Sequence, residues 1–326
     1  MKTTSPPRIL LTGATGFIGK RLLYKLDAMG YSVRCMVRHP EKLKLPFPLE
    51  NEPEVFAGDL LDPASLAQAL QGMDSAYYLV HSMGGRNFRE MEAFEARDRT
   101  AAQNFINAAD QSGLSRLIYL GGLGEAADNM SRHLSSRQEV GRILDSGKAD
   151  ATILRAAVII GAGGAGFEII RYLVERLPVM LCPKWIYTKS QPIAVENVLD
   201  YLAGCLEAPE TAGATFDIGG PEVLNYADLM RKYARVRGLK RYIAGVPLFQ
   251  TLLSTYWVAL ITPVPSGIVF PLAEGLRTPA VCREKRIAGL IPADLIGMEQ
   301  AICNALAEEQ GGPGRLISRQ ACFLPE

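Results

Sequence analysis

Three glycines spaced three apart, Gly13, Gly16 and Gly19, follow directly on the apolar run Ile9-Leu10-Leu11 and lead into an amphipathic stretch. That order of strand, glycine turn and helix constrains the fold more than any other feature of the chain. A helix N-terminus leaves backbone N–H groups without intrahelical partners and carries partial positive charge, so it attracts phosphate. Glycine removes the Cβ that would hold a pyrophosphate away from the backbone, and it accepts the dihedrals of a tight turn. The run Thr12-Gly13-Ala14-Thr15-Gly16-Phe17-Ile18-Gly19 therefore reads as a dinucleotide cradle, with Gly13, Ala14, Thr15, Gly16, Phe17, Ile18 and Gly19 as candidate cofactor-binding residues. The spacing is Gly-x-x-Gly-x-x-Gly rather than the commoner Gly-x-Gly-x-x-Gly, and a purely structural turn is the alternative.

The first half continues the pattern. Apolar strand runs at 8–12, 32–37, 55–57, 76–80, 117–120 and 151–160 alternate with helical patterns at 17–29, after Pro63, at 88–112 and at 133–146. Such alternation predicts an α/β fold, a Rossmann-type doubly wound parallel sheet covered by helices. Beyond a second glycine run (Gly161, Gly163, Gly164, Gly166) the pattern is less regular, with a helix ending before Pro178, a strand at 216–219 and a helix at 225–237. The expected division is a dinucleotide-binding domain over 1–220, with a substrate-side excursion at about 161–190, and a smaller, mostly helical C-terminal substrate-side domain over 221–326.

Charge and cysteine usage exclude several classes. The formal net charge of +1 leaves no broad field for nucleic acid. Cys35, Cys182, Cys205, Cys282, Cys303 and Cys322 are scattered without a Cys-x-x-Cys pair, which reads as reduced thiols in a cytoplasmic protein and gives no metal site. Residues 1–8 are short and polar, with no signal-peptide pattern.

From Tyr242 to Ala273 the chain carries no charge. Pro247, Pro263, Pro265 and Pro271 interrupt this stretch, and its longest proline-free run, 248–262, has 15 residues. A membrane-spanning helix needs about 20. Phe249, Leu252, Leu253, Tyr256, Trp257, Leu260 and Ile261 share one side at helical spacing. Three readings stand: a helix in the smaller domain's core, the wall of a pocket for an apolar substrate, or a peripheral membrane or protein contact through 247–262 that would add membrane association to a cytoplasmic location.

The chain resembles an atypical extended short-chain dehydrogenase/reductase of the group that includes NmrA-like and YbjT-like NAD(P)-binding proteins. The resemblance spans most of the chain to about residue 240. It rests on the glycine run, on Gly58-Asp59-Leu60, on Leu154-Arg155 before Gly161, and on Gln191-Pro192-Ile193-Ala194-Val195-Glu196-Asn197-Val198. Tyr77-Tyr78-Leu79-Val80-His81-Ser82-Met83 and Ser135-Ser136-Arg137-Gln138-Glu139-Val140-Gly141 add to it. The resemblance implies a bound NAD(P)(H) and places Asp59 and Leu60 beside its adenine. His81 and Ser82 follow a strand at the carboxyl edge, where ligands of such sheets bind.

NAD-preferring Rossmann proteins carry an acid after the second strand for the ribose 2′-hydroxyl. Here that place is held by Val37-Arg38-His39, with Lys42 close behind. A guanidinium there can pair with a 2′-phosphate, so Arg38 and Lys42 point to NADP(H) over NAD(H). The family's Tyr-x-x-x-Lys pair is absent. His133-Leu134-Ser135-Ser136-Arg137 stands in its place, and the preceding strand ends Tyr119-Leu120-Gly121-Gly122 without the usual hydroxyl. His133 and Arg137 are the candidate catalytic residues, Arg137 also being a candidate for the nicotinamide ribose. Residues four apart share a helix face, and an imidazole is suited to proton transfer near neutrality. Two functions remain open at this stage. One is an NADP(H)-dependent oxidoreductase acting on a small apolar carbonyl, enone or quinone-like substrate. The other is a non-catalytic NADP(H)-binding regulator or accessory protein, of the NmrA-like or complex I accessory kind, with no small-molecule substrate.

Overall fold

The computed structural model describes residues 7–81, 88–124, 131–246 and 261–311. Seven of the apolar runs assemble into an all-parallel sheet: β1 (Arg8–Thr12), β2 (Ser32–Val37), β3 (Glu54–Ala57), β4 (Ser75–Tyr78), β5 (Arg116–Gly122), β6 (Asp150–Ala156) and β7 (Ala214–Ile218). Their spatial order is β7-β6-β5-β4-β1-β2-β3. The order reverses at β1 and β4, where a crevice must open at the carboxyl ends of the strands.

Strand alternation decides which helix covers which face. Ile9 and Leu11 of β1 point to one side, where they meet Leu22, Leu23 and Leu26 of α1 (Phe17–Ala28) and Val198 and Leu202 of α6 (Val195–Glu207). Leu10 points to the other, against Leu66 and Leu70 of α2 (Pro63–Leu70), Phe105 and Ile106 of α3 (Phe88–Ser112), and Val140 and Leu144 of α4 (Arg132–Asp145). A parallel sheet buried on both faces reads as near-continuous apolar strands for this reason.

A second core joins α5 (Ala165–Arg176) and α7 (Tyr226–Val236) to the last described helix, α9 (Met298–Gly311), through Phe167, Val174, Tyr233 and Ile302. Another helix, α8 (Ser266–Gly275), packs on α4. The C-terminal part is not self-contained. Its core draws on residues 160–186 as well as 226–305, and Ile287 and Ile291 return to the core under the main sheet.

Two expectations need correction. The apolar run 151–160 is not one strand. Beyond Ala156 it has no strand neighbour in the main sheet, because the register ends with Gly122 and Ile218 beside Ala156. Ile159–Ile160 instead forms a separate ribbon with Ile193–Ala194. The thiols of Cys35, Cys182, Cys205 and Cys282 are free and buried, but Cys303 is disulfide-bonded, a state that the scattered cysteine spacing does not announce. Among the described residues no helix is long and apolar enough to cross a membrane. Residues 247–260, most of the uncharged segment expected to contact a pocket, partner or membrane, lie outside the described residues.

Candidate functional site

The turn after β1 leaves little space for side chains. Gly13 adopts φ +76°, a conformation L side chains rarely take, and a Cβ there would sit 2.7 Å from the Leu79 carbonyl oxygen. A Cβ on Gly19 would lie 2.2 Å from the Gly13 oxygen. These contacts bring the first turn of α1 against the end of β1. Gly16 caps α1 without a side-chain hydrogen bond, and the first turn holds no acidic residue. The N-terminal N–H groups are thus left to an anion, which is the property a diphosphate requires.

A cleft of about 770 Å³ opens over this turn. Gly13, Thr15, Gly16, Phe17, Ile18 and Gly19 line it. Ala14 is fully buried and packs in the core instead. Arg38, Asp59 and Leu60 line the same cleft, past the ends of β2 and β3. Arg38 is exposed and makes no ion pair among the described residues. Lys42 lies in a one-turn helix, Pro40–Lys42, and is exposed but not part of the lining. Asp59 does not cap α2. Asp62 does, accepting from the Ala64 N–H at 3.0 Å, while the Asp59 carboxylate accepts from the Leu61 N–H.

Further along the cleft stand His81, His133 and Arg137. Ser82, named with His81, lies outside the described residues. The rings of His81 and His133 meet edge to face at 5.9 Å between centroids. His133 is in the first turn of α4, whose N-cap Ser131 accepts from the Leu134 N–H. Arg137 follows one turn later and donates to the Leu120 carbonyl at 2.6 Å, while the Tyr119 hydroxyl donates to the Arg137 carbonyl. Burial, reinforced by the Arg137 charge, pushes the His133 pKa down to about 3. The imidazole is therefore neutral across the physiological range, with one N–H to donate and one nitrogen to accept.

The end of β5, where the usual hydroxyl is missing, is close to α4. A Cβ on Gly122 would stand 2.8 Å from Leu134 Cδ2 and 3.4 Å from Arg137 Cδ. Helix α4 leans so close to the strand end that a serine would push against it.

The second glycine run also reaches the cleft through Gly163, Gly164 and Gly166, and packs on Phe17, whose ring tip is 3.0 Å from where a Gly164 Cβ would be. Glu168 and Arg171 of α5 are not in the lining. Glu168 accepts from the Gly163 N–H at 3.0 Å, and Arg171 bridges Glu168 and Glu309. They join α5 to α9.

Sequence reasoning missed Phe94, Arg97 and Asp98 of α3, Tyr226 at the start of α7, and Leu276 after α8, all of which line the cleft. Burial pushes the Tyr226 phenol up to about 12, so it remains protonated. Only a placement of α3, α7 and α8 relative to the sheet could have identified these residues. Beyond the turn, the apolar side chains of Val80, Leu123, Val158, Leu272 and Leu276 also line the cleft.

A family model described as NAD(P)H-binding matches residues 13–170. A ceramide reductase of Caulobacter vibrioides is 26% identical over 248 residues, covering 76% of this chain and 76% of that protein. An uncharacterised chloroplastic protein of Arabidopsis thaliana is 30% identical over 235 residues, covering 66% of this chain and 70% of that protein. Among solved structures, the Citrobacter sp. triphenylmethane reductase complexed with NADP(H) superposes with a TM-score of 0.70 at 17% identity, covering 91% of this chain and 99% of that one. At that identity the likeness concerns the fold.

Proposed function

The chain belongs to the NAD(P)H-binding family of atypical extended short-chain dehydrogenases/reductases, and from that premise we propose that it is an NADP(H)-dependent oxidoreductase acting on an apolar carbonyl, enone or quinone-like compound. The observation that carries this reading is the continuity of one cleft from the uncapped start of α1, past His133 and Arg137, to an apolar wall. The similarity to a ceramide reductase favours a substrate with long aliphatic parts.

The nicotinamide, when bound, supplies or takes up the hydride. Gly13, Gly16 and Gly19 would hold the diphosphate against the first turn of α1. Arg137 would offer its remaining N–H groups to ribose hydroxyls, its guanidinium being held in place by Leu120. His133, neutral, donates its N–H to the substrate oxygen and stabilises the negative charge that builds there. In the direction of reduction the oxygen takes its proton from water, because an imidazole with so low a pKa is not an imidazolium at neutral pH.

The test is NADPH oxidation against a panel of hydrophobic aldehydes, ketones, enones and quinones. His133→Ala is expected to lose about a hundredfold in kcat while keeping its NADPH affinity. The wild-type rate should show no histidine titration between about pH 5 and 8. Turnover at the wild-type level in His133→Ala would remove the residue from the mechanism.

Coenzyme choice has its own test. Arg38→Ser is expected to weaken NADPH about 10- to 100-fold, through loss of a charge-assisted pair, and to leave NADH unchanged in a fluorescence titration. Equal affinity of the native protein for both coenzymes would exclude a 2′-phosphate contact at Arg38.

The second reading, a coenzyme-binding protein without turnover, is favoured by the strand-end glycines and the absent Tyr-x-x-x-Lys pair. It predicts NADPH binding with no oxidation against any member of the panel.

A further inference from the structure

Val179–Pro183 and Tyr242–Val246 form a two-stranded parallel ribbon. One face of it, with Met180, Cys182 and Ile243, is buried in the second core. The opposite face is apolar as well, and it is open. Pairing sets Tyr242 beside Val179 and Ala244 beside Leu181. Val179 is 54% exposed, Leu181 52% and Tyr242 76%. Tyr187 belongs to the other side, its ring lying against Gly245 and its hydroxyl accepting from the Gly245 N–H at 3.0 Å. Scattered surface hydrophobics are ordinary, but large side chains in register on one sheet face form a patch that calls for an occupant.

The chain segments that form the ribbon and its flanks carry charge of one sign. Residues 176–190 and 236–246 contain Arg176, Lys184, Lys189, Arg237, Lys240 and Arg241 and no acid, in a chain whose net charge is only +1. Arg237 is satisfied by Glu175, and Arg241 by the carbonyls of Val174, Glu175 and Lys240. Lys184, Lys189 and Lys240 are exposed and make no ion pair among the described residues. The second strand already belongs to the uncharged stretch of the sequence that begins at Tyr242.

We propose that this ribbon face rests on an anionic lipid surface, with Val179 and Leu181 at the acyl boundary, Tyr242 at the level of the head groups, and the three lysines on lipid phosphates. Aromatic rings with a polar tip settle at such boundaries. Lysines act as point charges on flexible stems, which suits a fluid array of phosphates better than the fixed carboxylates of a protein partner. Apolar contact and attraction to anionic lipid then act together, as in other peripheral membrane attachments. The assignment does not depend on turnover at the cleft.

The full chain would be floated with vesicles of phosphatidylcholine alone and of phosphatidylcholine mixed with phosphatidylglycerol. Binding is expected to the mixed vesicles, to be at least about tenfold weaker without the anionic lipid, and to fall as salt is raised. The double variants Leu181→Asp/Tyr242→Asp and Lys184→Glu/Lys240→Glu should each reduce it at least about tenfold while the thermal melt and NADPH binding stay as in the parent. Failure to bind mixed vesicles overturns the proposal, as does binding that survives both double variants. Recognition of an acidic protein through this face by a chain that ignores lipid overturns it as well.

Discussion

Gly19→Ala is expected to abolish coenzyme binding, with NADPH affinity falling by more than about a hundredfold, or about 3 kcal/mol. The added methyl would stand 2.2 Å from the Gly13 carbonyl oxygen and 3.0 Å from Ala14 Cα, both of them backbone atoms. Neither can move without displacing the turn that aims the N-terminal N–H groups of α1. Overpacking of this kind costs about 1–3 kcal/mol in stability, so a lower melting temperature should accompany the loss. Gly16→Ala is the control that separates the two effects. Its methyl meets only the Gly13 oxygen, at 3.2 Å, on the wall of the cleft. The fold should survive nearly intact while binding weakens, because the methyl occupies the approach to the helix start. Calorimetric titration and a thermal melt on each variant check both claims. A Gly19→Ala protein that binds NADPH like the parent would falsify the cradle.

Asp217→Ala carries the largest expected loss of stability. Asp217 is 4% exposed at the end of β7. Its carboxylate receives the Arg155 guanidinium at 2.6 Å and the backbone N–H groups of Arg283 and Glu284 at 3.0 and 3.1 Å. Removing one partner of a buried ion pair leaves the other uncompensated, at a cost of about 3–5 kcal/mol. Arg155 keeps some access to water, which places the expected loss near the lower bound. Asp217→Asn retains an acceptor for the two N–H groups and should cost less. The urea midpoint reports all of this directly. The same substitution loosens the segment that brings Ile287 and Ile291 back beneath the sheet. NADPH binding should therefore weaken less than stability does, since no atom of Asp217 lines the cleft.

Local patterns were the most legible. The glycine spacing is a property of eight adjacent residues, and it located the turn and the start of α1 without tertiary information. Counting from Gly19 reached Arg38, and the offset of four within α4 put His133 and Arg137 on one face. The structure brings all three into the cleft. Hydropathy alone could not see that the strand at 151–160 loses its strand neighbours in the main sheet after Ala156. Nor could it separate Asp59 from Asp62 as the cap of α2, because both precede the same helix and only geometry assigns the Ala64 N–H. Phe94, Tyr226 and Leu276 come to the cleft from helices far apart in the chain, and none has a local signature. The second core is built from both sides of residue 220, out of the excursion after the second glycine run and the C-terminal helices.

The crowding of Leu134 against Gly122 bears on how this scaffold could be re-engineered. Installing tyrosine and lysine at positions 133 and 137 would not revive the conventional reductase chemistry by itself, since the strand-end serine meant to accompany them must also displace the end of the Leu134 side chain. Retrofitting is thus a concerted change at three positions with Leu134 giving way, and each partial version would be selected on whatever the histidine–arginine arrangement already does.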